Sequence, residues 1–300
     1  MRTTLRIGTR GSALALWQAN AVAALLAARG YATELITIRT TGDRIQDRPL
    51  SEAGGKGLFV KEIEDALLAG TIDLAVHSAK DMSVAIPSGL AVAAVLPRED
   101  PRDALVARQG QALRSARTIG TGSVRRAAQL SARMSRACFL PVRGNVDTRL
   151  RKLDAGEFDA LVLAVAGLTR LGYAARITEA IPADECIPAP GQGIIAIETR
   201  ADDARDAVWG TIGDRQAAAA FDAERAVVEA LGGGCQLPLG AIAIHEGAGL
   251  SMHGIVTTPD GTRQARRSIR GAAAEPAALG RRLAAELAEA GAIDILNSLR

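Results

Sequence analysis

The sequence predicts an α/β protein: two similar lobes, each a sheet with helices on its faces, followed by a smaller α+β domain. Three observations predict this. Strand and helix patterns alternate for about two hundred residues, which is the grammar of βαβ units. That grammar repeats. Residues 8–12 (GTRGS) and 120–123 (GTGS) each open a helix after a strand, and residues 69–76 (AGTIDLAV) match 155–162 (AGEFDALV) in the same order. Beyond residue 213 the pattern changes to a long helix, antiparallel strands around a Pro259-Asp260-Gly261 turn, and a closing helix.

Residues 4–8 read as a strand, and 13–28 as a helix with Leu14, Trp17, Ala21, Leu25 and Ala28 on one face. Residues 33–39 alternate as a strand. Residues 40–57 are loop-like, with Gly42, Pro49, Gly54, Gly55 and Gly57. A helix follows to about Ala69, then a buried strand at 72–77. In the second lobe, 117–119 and 138–142 read as strands. Residues 191–199 read as a strand that returns to the first lobe. The helix at 214–231 ends at Gly232, Gly233 and Gly234, and strands near 237–245 and 249–257, another to about 270, and a helix at 275–290 complete the chain. The implied domains are 1–97 with 192–212, 98–191, and 213–300. Two crossovers between lobes suit a hinged cleft.

Composition narrows the function. Three hundred residues at 48% hydrophobic content can build a buried core, and aromatics at 3% leave it to Ala, Val, Leu and Ile. A net charge of +3 is not the excess of a nucleic-acid binder. Three cysteines, Cys138, Cys186 and Cys235, without close spacing are no disulfide framework and fit a reducing compartment. Cys138 and Cys186 read as buried, inert thiols. His77, His245 and His253 form no recognisable metal set. The most apolar stretch, 13–28, is interrupted by Gln18 and Asn20, too short for a bilayer, and preceded by a strand, which is not signal-peptide order. A cytoplasmic monomer is expected, without metal, nucleic-acid or membrane partner.

The residues fit for chemistry lie at strand–helix junctions. Ser12 and Ser123 are helix N-caps, with Arg10 before the first and Arg125 and Arg126 after the second. Ligands of open α/β sheets sit at the carboxyl ends of strands, so both sets are expected to face one cleft and an anion. Arg143 and Arg149 (in RGNVDTR) and Arg170 each follow a strand and enrich that cleft. No P-loop is present, which favours carboxylates over phosphates as the ligand's charges. Ser78, Lys80 and Asp81 follow the 72–77 strand, where a carboxylate can accept N–H hydrogen bonds, stabilise a cation or shuttle a proton. Cys235 ends a run of three glycines that leaves room for another group, which makes it the best candidate for a modified thiol.

In order and over nearly the whole chain, these segments resemble the porphobilinogen deaminase (hydroxymethylbilane synthase) family. The resemblance runs through RIGTRGSALALWQA (6–19), GGKGLFVKE (54–62), LAVHSAKD (74–81), EDPRD (99–103), GTGSVRR (120–126), RGNVDTR (143–149), LAVAGLTRLG (163–172), PGQG (190–193) and LGGGCQLP (231–238). It implies a transferase of porphyrin and heme biosynthesis that joins four porphobilinogen molecules into linear hydroxymethylbilane and releases four ammonia. It also implies two lobes like type II periplasmic binding proteins, and one dipyrromethane cofactor held by a thioether to the cysteine matching Cys235. By the same resemblance Asp81 is the catalytic aspartate. Arg10, Ser12, Ser78, Lys80, Thr121, Ser123, Arg125, Arg126, Arg143, Arg149 and Arg170 bind cofactor or substrate, and Lys56 lies in a loop over the cleft. Porphobilinogen carries an acetate and a propionate, so each step adds two negative charges, which an arginine-rich cleft suits. The chain departs from common family patterns at Gly122 and Ser83, where serine and proline are frequent, and at Ala53 and Gly232, where lysine and glutamate are.

Two rival readings stay open on sequence alone. One is a non-catalytic two-lobe binding protein for an acidic ligand, since fold does not fix function. The other is an acyl-transfer enzyme using Cys235, which needs a paired histidine. A covalent dipyrrole on the purified protein separates all three.

Overall fold

The computed structural model describes residues 4–44, 57–203, 205–232 and 237–299. The chain forms two compact units, Met1–Arg98 with Ile194–Ala218, and Glu99–Gly193 with Ala219–Arg300. It opens with β1 (Leu5–Thr9), α1 (Ala13–Ala27), β2 (Thr33–Thr37), a single turn α2 (Thr41–Arg44), α3 (Lys61–Leu68), β3 (Leu74–Ser78) and β4 (Leu90–Val95). The second unit begins with β5 (Asp103–Ala107), β6 (Thr118–Gly120), α4 (Val124–Leu130), β7 (Cys138–Leu140), α5 (Val146–Asp154), β8 (Ala160–Ala164), α6 (Val165–Arg170) and β9 (Glu179–Ala180). The chain returns to the first unit as β10 (Ile195–Arg200) and α7 (Asp206–Ile212). Then come α8 (Arg215–Ala230), β11 (Leu239–Glu246), β12 (Gly249–Thr257), β13 (Gln264–Ala272), α9 (Pro276–Glu289) and α10 (Ala292–Asn297).

The two lobe sheets share one topology. The first runs β2-β1-β3-β10-β4 and the second β7-β6-β8-β5-β9. In each, the first three strands are parallel, and the fourth runs antiparallel to both its neighbours. The repeat seen in the sequence therefore pairs β1 with β6 and β3 with β8. The fourth strand of each sheet flanks a crossing of the chain: β5 follows the exit from the first unit, and β10 follows the return. Strand β3 has four buried residues in succession, as a strand covered on both faces requires. One core of the first lobe contains Ile7, Val22, Leu26, Leu74, Val76, Ile197 and Trp209, and a separate one contains Ile63, Leu67, Ile72, Ala75 and Leu90.

Helix α1 buries a different face from the one its periodicity suggests. Ala15, Gln18, Ala19, Val22 and Leu26 are buried, while Trp17 is 41% exposed. The helix is alanine-rich and apolar all round, so spacing alone cannot choose a stripe. A hydrogen bond decides in favour of Gln18, whose Nε2 donates to Ser78 Oγ at 2.9 Å. Cys138 also differs from expectation: it is exposed on the edge strand β7, while Cys186 is buried.

The antiparallel sheet β11-β12-β13 packs one face on helices, around Val227, Leu239, Met252, Leu283, Leu287 and Ile295. Gly280 lets α9 approach α8, since a Cβ there would lie 2.1 Å from the Ala223 carbonyl oxygen. Gly280→Ala should therefore destabilise the protein by about 1–3 kcal/mol, because backbone must move to admit one methyl. Chemical denaturation measures this, and an unchanged midpoint would show that the helix pair yields freely.

Candidate active site

The first lobe gathers its polar residues at the carboxyl ends of β1 and β3. Arg10 follows β1 and is fixed twice. Its guanidinium lies 4.2 Å from the centre of the Phe59 ring, and Nε donates to Asp43 Oδ1 at 3.1 Å, with an ion pair from Nη2 to the same oxygen. Burial alone would raise Asp43, but hydrogen bonds from Arg10 and Thr40 outweigh it and hold the carboxyl below its usual range. Ser12 caps α1 by accepting from Ala15 N at 3.3 Å. It has an extended backbone, and the acceptor satisfies one orphan N–H of the helix.

Ser78 is the last residue of β3, and a 3-10 turn, Ala79–Asp81, follows. The turn is pinned on both sides. Ala79 N donates to Ile194 O at 3.0 Å, and Met82 N donates to Ala79 O at 3.3 Å. Ala79 and Met82 are buried, whereas Lys80 and Asp81 are half-buried. The turn thus holds the Asp81 carboxylate within reach of solvent, one residue from a core methionine.

In the second lobe, Thr121 Oγ1 accepts from Ser123 N at 3.2 Å, and Ser123 caps α4. Arg125 and Arg126 enter the interior rather than solvent, at 4% and 6% exposure. Both pair with Asp103, which is fully buried. Arg125 Nη2 lies 2.8 Å from Oδ2, and Arg126 Nη2 lies 2.7 Å from Oδ1. Arg125 also donates to Ile187 O at 2.6 Å, and Arg126 to Val162 O at 3.2 Å. Burial opposes the charge on Asp103, yet the two arginines and Gln192 hold its carboxyl far below the usual range. The Cys186 thiol is pushed up to about 12, chiefly by burial, so it is inert. Two guanidiniums against one carboxylate leave a net positive charge inside this lobe.

Arg143 follows β7, and Arg149 sits in the first turns of α5, where its Nε donates to Gly144 O at 2.8 Å. Arg170 closes α6 and donates to Gly193 O at 2.7 Å. Burial lowers both Arg143 and Arg170 from their ordinary value, with Glu99 acting the other way on Arg170, as expected for cations taken partly out of water. Lys56 and Cys235 lie outside the described residues.

Asp43, Phe59, Asp103 and Gln192 complete these arrangements and were not singled out from the sequence. Asp103 lies in EDPRD and Phe59 in GGKGLFVKE, so the segments were legible but not the pairings. Gln18 was visible as a polar break in an apolar helix, which is the signal its contact with Ser78 explains.

Comparison with known proteins fixes the family. Residues 5–207 match the model "porphobilinogen deaminase, dipyromethane cofactor binding domain", and residues 218–289 match "porphobilinogen deaminase, C-terminal domain". A porphobilinogen deaminase of Roseiflexus castenholzii is 50% identical over 97% of this chain and 98% of that protein. One of Burkholderia mallei is 48% identical over 99% of this chain and 93% of that protein. Among solved structures, the periplasmic aliphatic sulphonate binding protein SsuA of Escherichia coli aligns with a TM-score of 0.41 at 13% identity, over 75% of this chain and 69% of that one. With both family models matched in order, the chain belongs to the porphobilinogen deaminase family.

Proposed function

We propose that this chain is a hydroxymethylbilane synthase in which Asp81 is the catalytic carboxylate and Cys235 the point of cofactor attachment. The observation that carries the catalytic assignment is the pinned turn Ala79–Asp81 at the carboxyl end of β3, with a half-buried carboxylate at its end. Asp81 accepts the N–H of a bound pyrrole and faces the cation left on porphobilinogen when ammonia departs. A carboxylate fixed in place stabilises that charge without reorganising. The same oxygen then takes the proton that the attacking pyrrole carbon releases. Ser78, held by Gln18, and Lys80 orient the substrate beside it.

The dipyrromethane, when bound, supplies the terminal pyrrole carbon to which each new unit is joined. The residues present suit it. Arg143 and Arg170 are desolvated cations, and the Arg125–Asp103–Arg126 group carries a net positive charge. Arg143, Arg149 and Arg170 hold acetate and propionate groups, while Arg125 and Arg126 fix the start of α4 and keep Thr121 and Ser123 in place. Arg10 binds a carboxylate of the incoming substrate in exchange for Asp43, and Lys56 is assigned to the same substrate. This assignment favours the enzyme over a non-catalytic binding protein. The test is direct: purified chain given porphobilinogen should release hydroxymethylbilane and four equivalents of ammonia, and binding without ammonia release would refute it.

Arg143→Lys checks the arginine set. An ammonium keeps the charge but not the planar two-point contact. Losing a charge-assisted hydrogen bond costs about 1.5–3 kcal/mol. Priming or elongation should slow while the melting temperature holds; unchanged kinetics would return Arg143 to the surface.

We also divide the chain into three domains, 1–97 with 192–212, 98–191, and 213–300. Three separate sheets support this, each with its own apolar core. Cytoplasmic residence is supported by the free thiols Cys138 and Cys186, which a reducing compartment preserves. Among the described residues no helix is long and apolar enough to cross a membrane. The chain acts as a monomer, which sedimentation at working concentration tests.

A further inference from the structure

Beneath the Asp81 turn the first lobe buries an ionisable group that the proposed chemistry does not use. His77 and Glu198 lie on the same face of adjacent antiparallel strands, diagonal to each other in the β3–β10 ladder. His77 Nε2 is 3.0 Å from Glu198 Oε2, with both side chains almost completely buried. Glu64, on α3, is buried on the same side, beside the core of Ile63, Leu67, Ile72, Ala75 and Leu90. Among the described residues, Glu64 Oε1 and Glu198 Oε1 are buried without a hydrogen-bond partner. Two orphaned carboxylate oxygens in an apolar layer are expensive unless a proton resides there. The Ser83 hydroxyl hydrogen-bonds Glu64, which ties α3 to the segment just past Asp81. Ser83 is one of the positions where this chain departs from the common family pattern, in which a proline offers no hydroxyl.

We propose, on the reading of Asp81 given above, that Glu64, Glu198 and His77 form a proton-holding triad that, through Ser83, positions the 78–83 segment and hence the Asp81 carboxylate. These are positioning residues, since none of them is placed against the substrate. The strands supply the backbone frame of the turn, and the triad clamps it from the α3 side. With its proton, Glu64 adds no charge beside the His77–Glu198 pair. Without it, the Glu64 carboxylate meets the repulsion from Glu198 that raises it, and the relief is movement of α3 or of the 78–83 segment. Burial, followed by the charge of Glu198, raises Glu64 from 4.5 to about 7, while His77 and Ser83 act the other way and Asp65 adds to the rise. The other charged neighbours are committed elsewhere. Arg200 on β10 donates to Leu67 O and Ile72 O. Arg6 on β1 pairs with Asp73, and Glu62 accepts from Thr41. Lys61 is exposed, β4 carries no titratable residue, and the turn itself brings Lys80 and Asp81.

The sign follows from linkage. The folded protein binds the Glu64 proton more tightly than the unfolded chain, so stability declines as pH rises from about 4.5 through 7. Glu64→Gln should flatten that decline. A denaturant midpoint followed from pH 5 to 8 reads this directly, and a slope identical to the parent's would contradict the buried proton.

The kinetic test uses the cofactor-loaded enzyme with porphobilinogen. In the parent, kcat should fall by about tenfold as pH rises through the triad's step, with KM nearly constant, because small misplacements of a reacting group carry costs of this order or more. Ser83→Ala removes a hydrogen bond that favours the charged form, so the step should move to higher pH. Glu198→Gln removes a repelling charge, so it should move lower. His77→Gln keeps a donor near the Nε2 position and should retain more kcat than His77→Leu. A step that neither Ser83→Ala nor Glu198→Gln displaces, or a change confined to KM, overturns the proposal. A second readout needs no turnover. With three histidines in the chain, the His77 ring nitrogens can be assigned by NMR and should sense the step, with the response lost in Glu64→Gln. If the chain makes no hydroxymethylbilane, the functional reading fails, and this spectrum still decides the triad.

Discussion

Replacing Asp81 by Asn should reduce kcat by about 10²–10³-fold, the usual cost of losing one preorganised electrostatic contact in a transition state. The substitution keeps the size and removes the charge. The fold should not register it. The turn is anchored by Ala79 and Met82, both buried, and by the bond from Ala79 N to Ile194 O, none of which involves the Asp81 side chain. A fully buried aspartate in another family segment, Asp103, has a different task. It is fully buried between two arginines, so its removal should damage folding before chemistry. The two positions therefore predict opposite profiles: lost turnover at a constant melting temperature for Asp81→Asn, and a lowered melting temperature for Asp103→Asn. Near-normal turnover in a correctly primed Asp81→Asn protein would remove Asp81 from the mechanism.

The lobes were legible because their signals are local. GTRGS and GTGS announce strand, cap and helix within five residues, and β1, α1, β6 and α4 formed where these motifs stand. The return of the 191–199 strand to the first lobe was also legible, and β10 is indeed the fourth strand of that sheet. What escaped was set by partners distant in sequence. Gln18 is buried because Ser78, sixty positions on, holds it. Arg125 and Arg126 enter the interior because Asp103 waits there, and an arginine beside a helix cap reads the same whether it faces ligand or core. Glu64 and Glu198, 134 positions apart, are both buried in the first lobe, where the charge of one acts on the other. No period in the sequence reports that. The short helices α2 and α10 carry too few turns to give a periodic signal.

Cys235→Ala should abolish activity outright, because without the thiol no primer can be tethered and chain growth has no starting point. Only a thiolate at this position can attack the exocyclic carbon of a deaminated pyrrole, and a methyl group has no lone pair to offer. The segment that carries Cys235 is anchored at both ends: Leu231 at the end of α8 and Leu239 at the start of β11 belong to one apolar core. The substitution should therefore leave that domain's packing intact. Intact mass under denaturing and reducing conditions reads the result. The parent should carry an excess of two linked pyrrole units, since a thioether, unlike a disulfide, resists reductants. Peptide mapping should place that excess on Cys235, and Cys235→Ala should lose both the mass and the pink colour given by Ehrlich's reagent. Cys138 and Cys186 supply internal controls. Cys186 is buried, its thiol pushed up to about 12, so it is closed to modification, whereas Cys138 is exposed and open to any non-selective reagent. An active parent with no added mass, or with the two-pyrrole adduct on Cys138 or Cys186 instead, would overturn the primer mechanism for this chain.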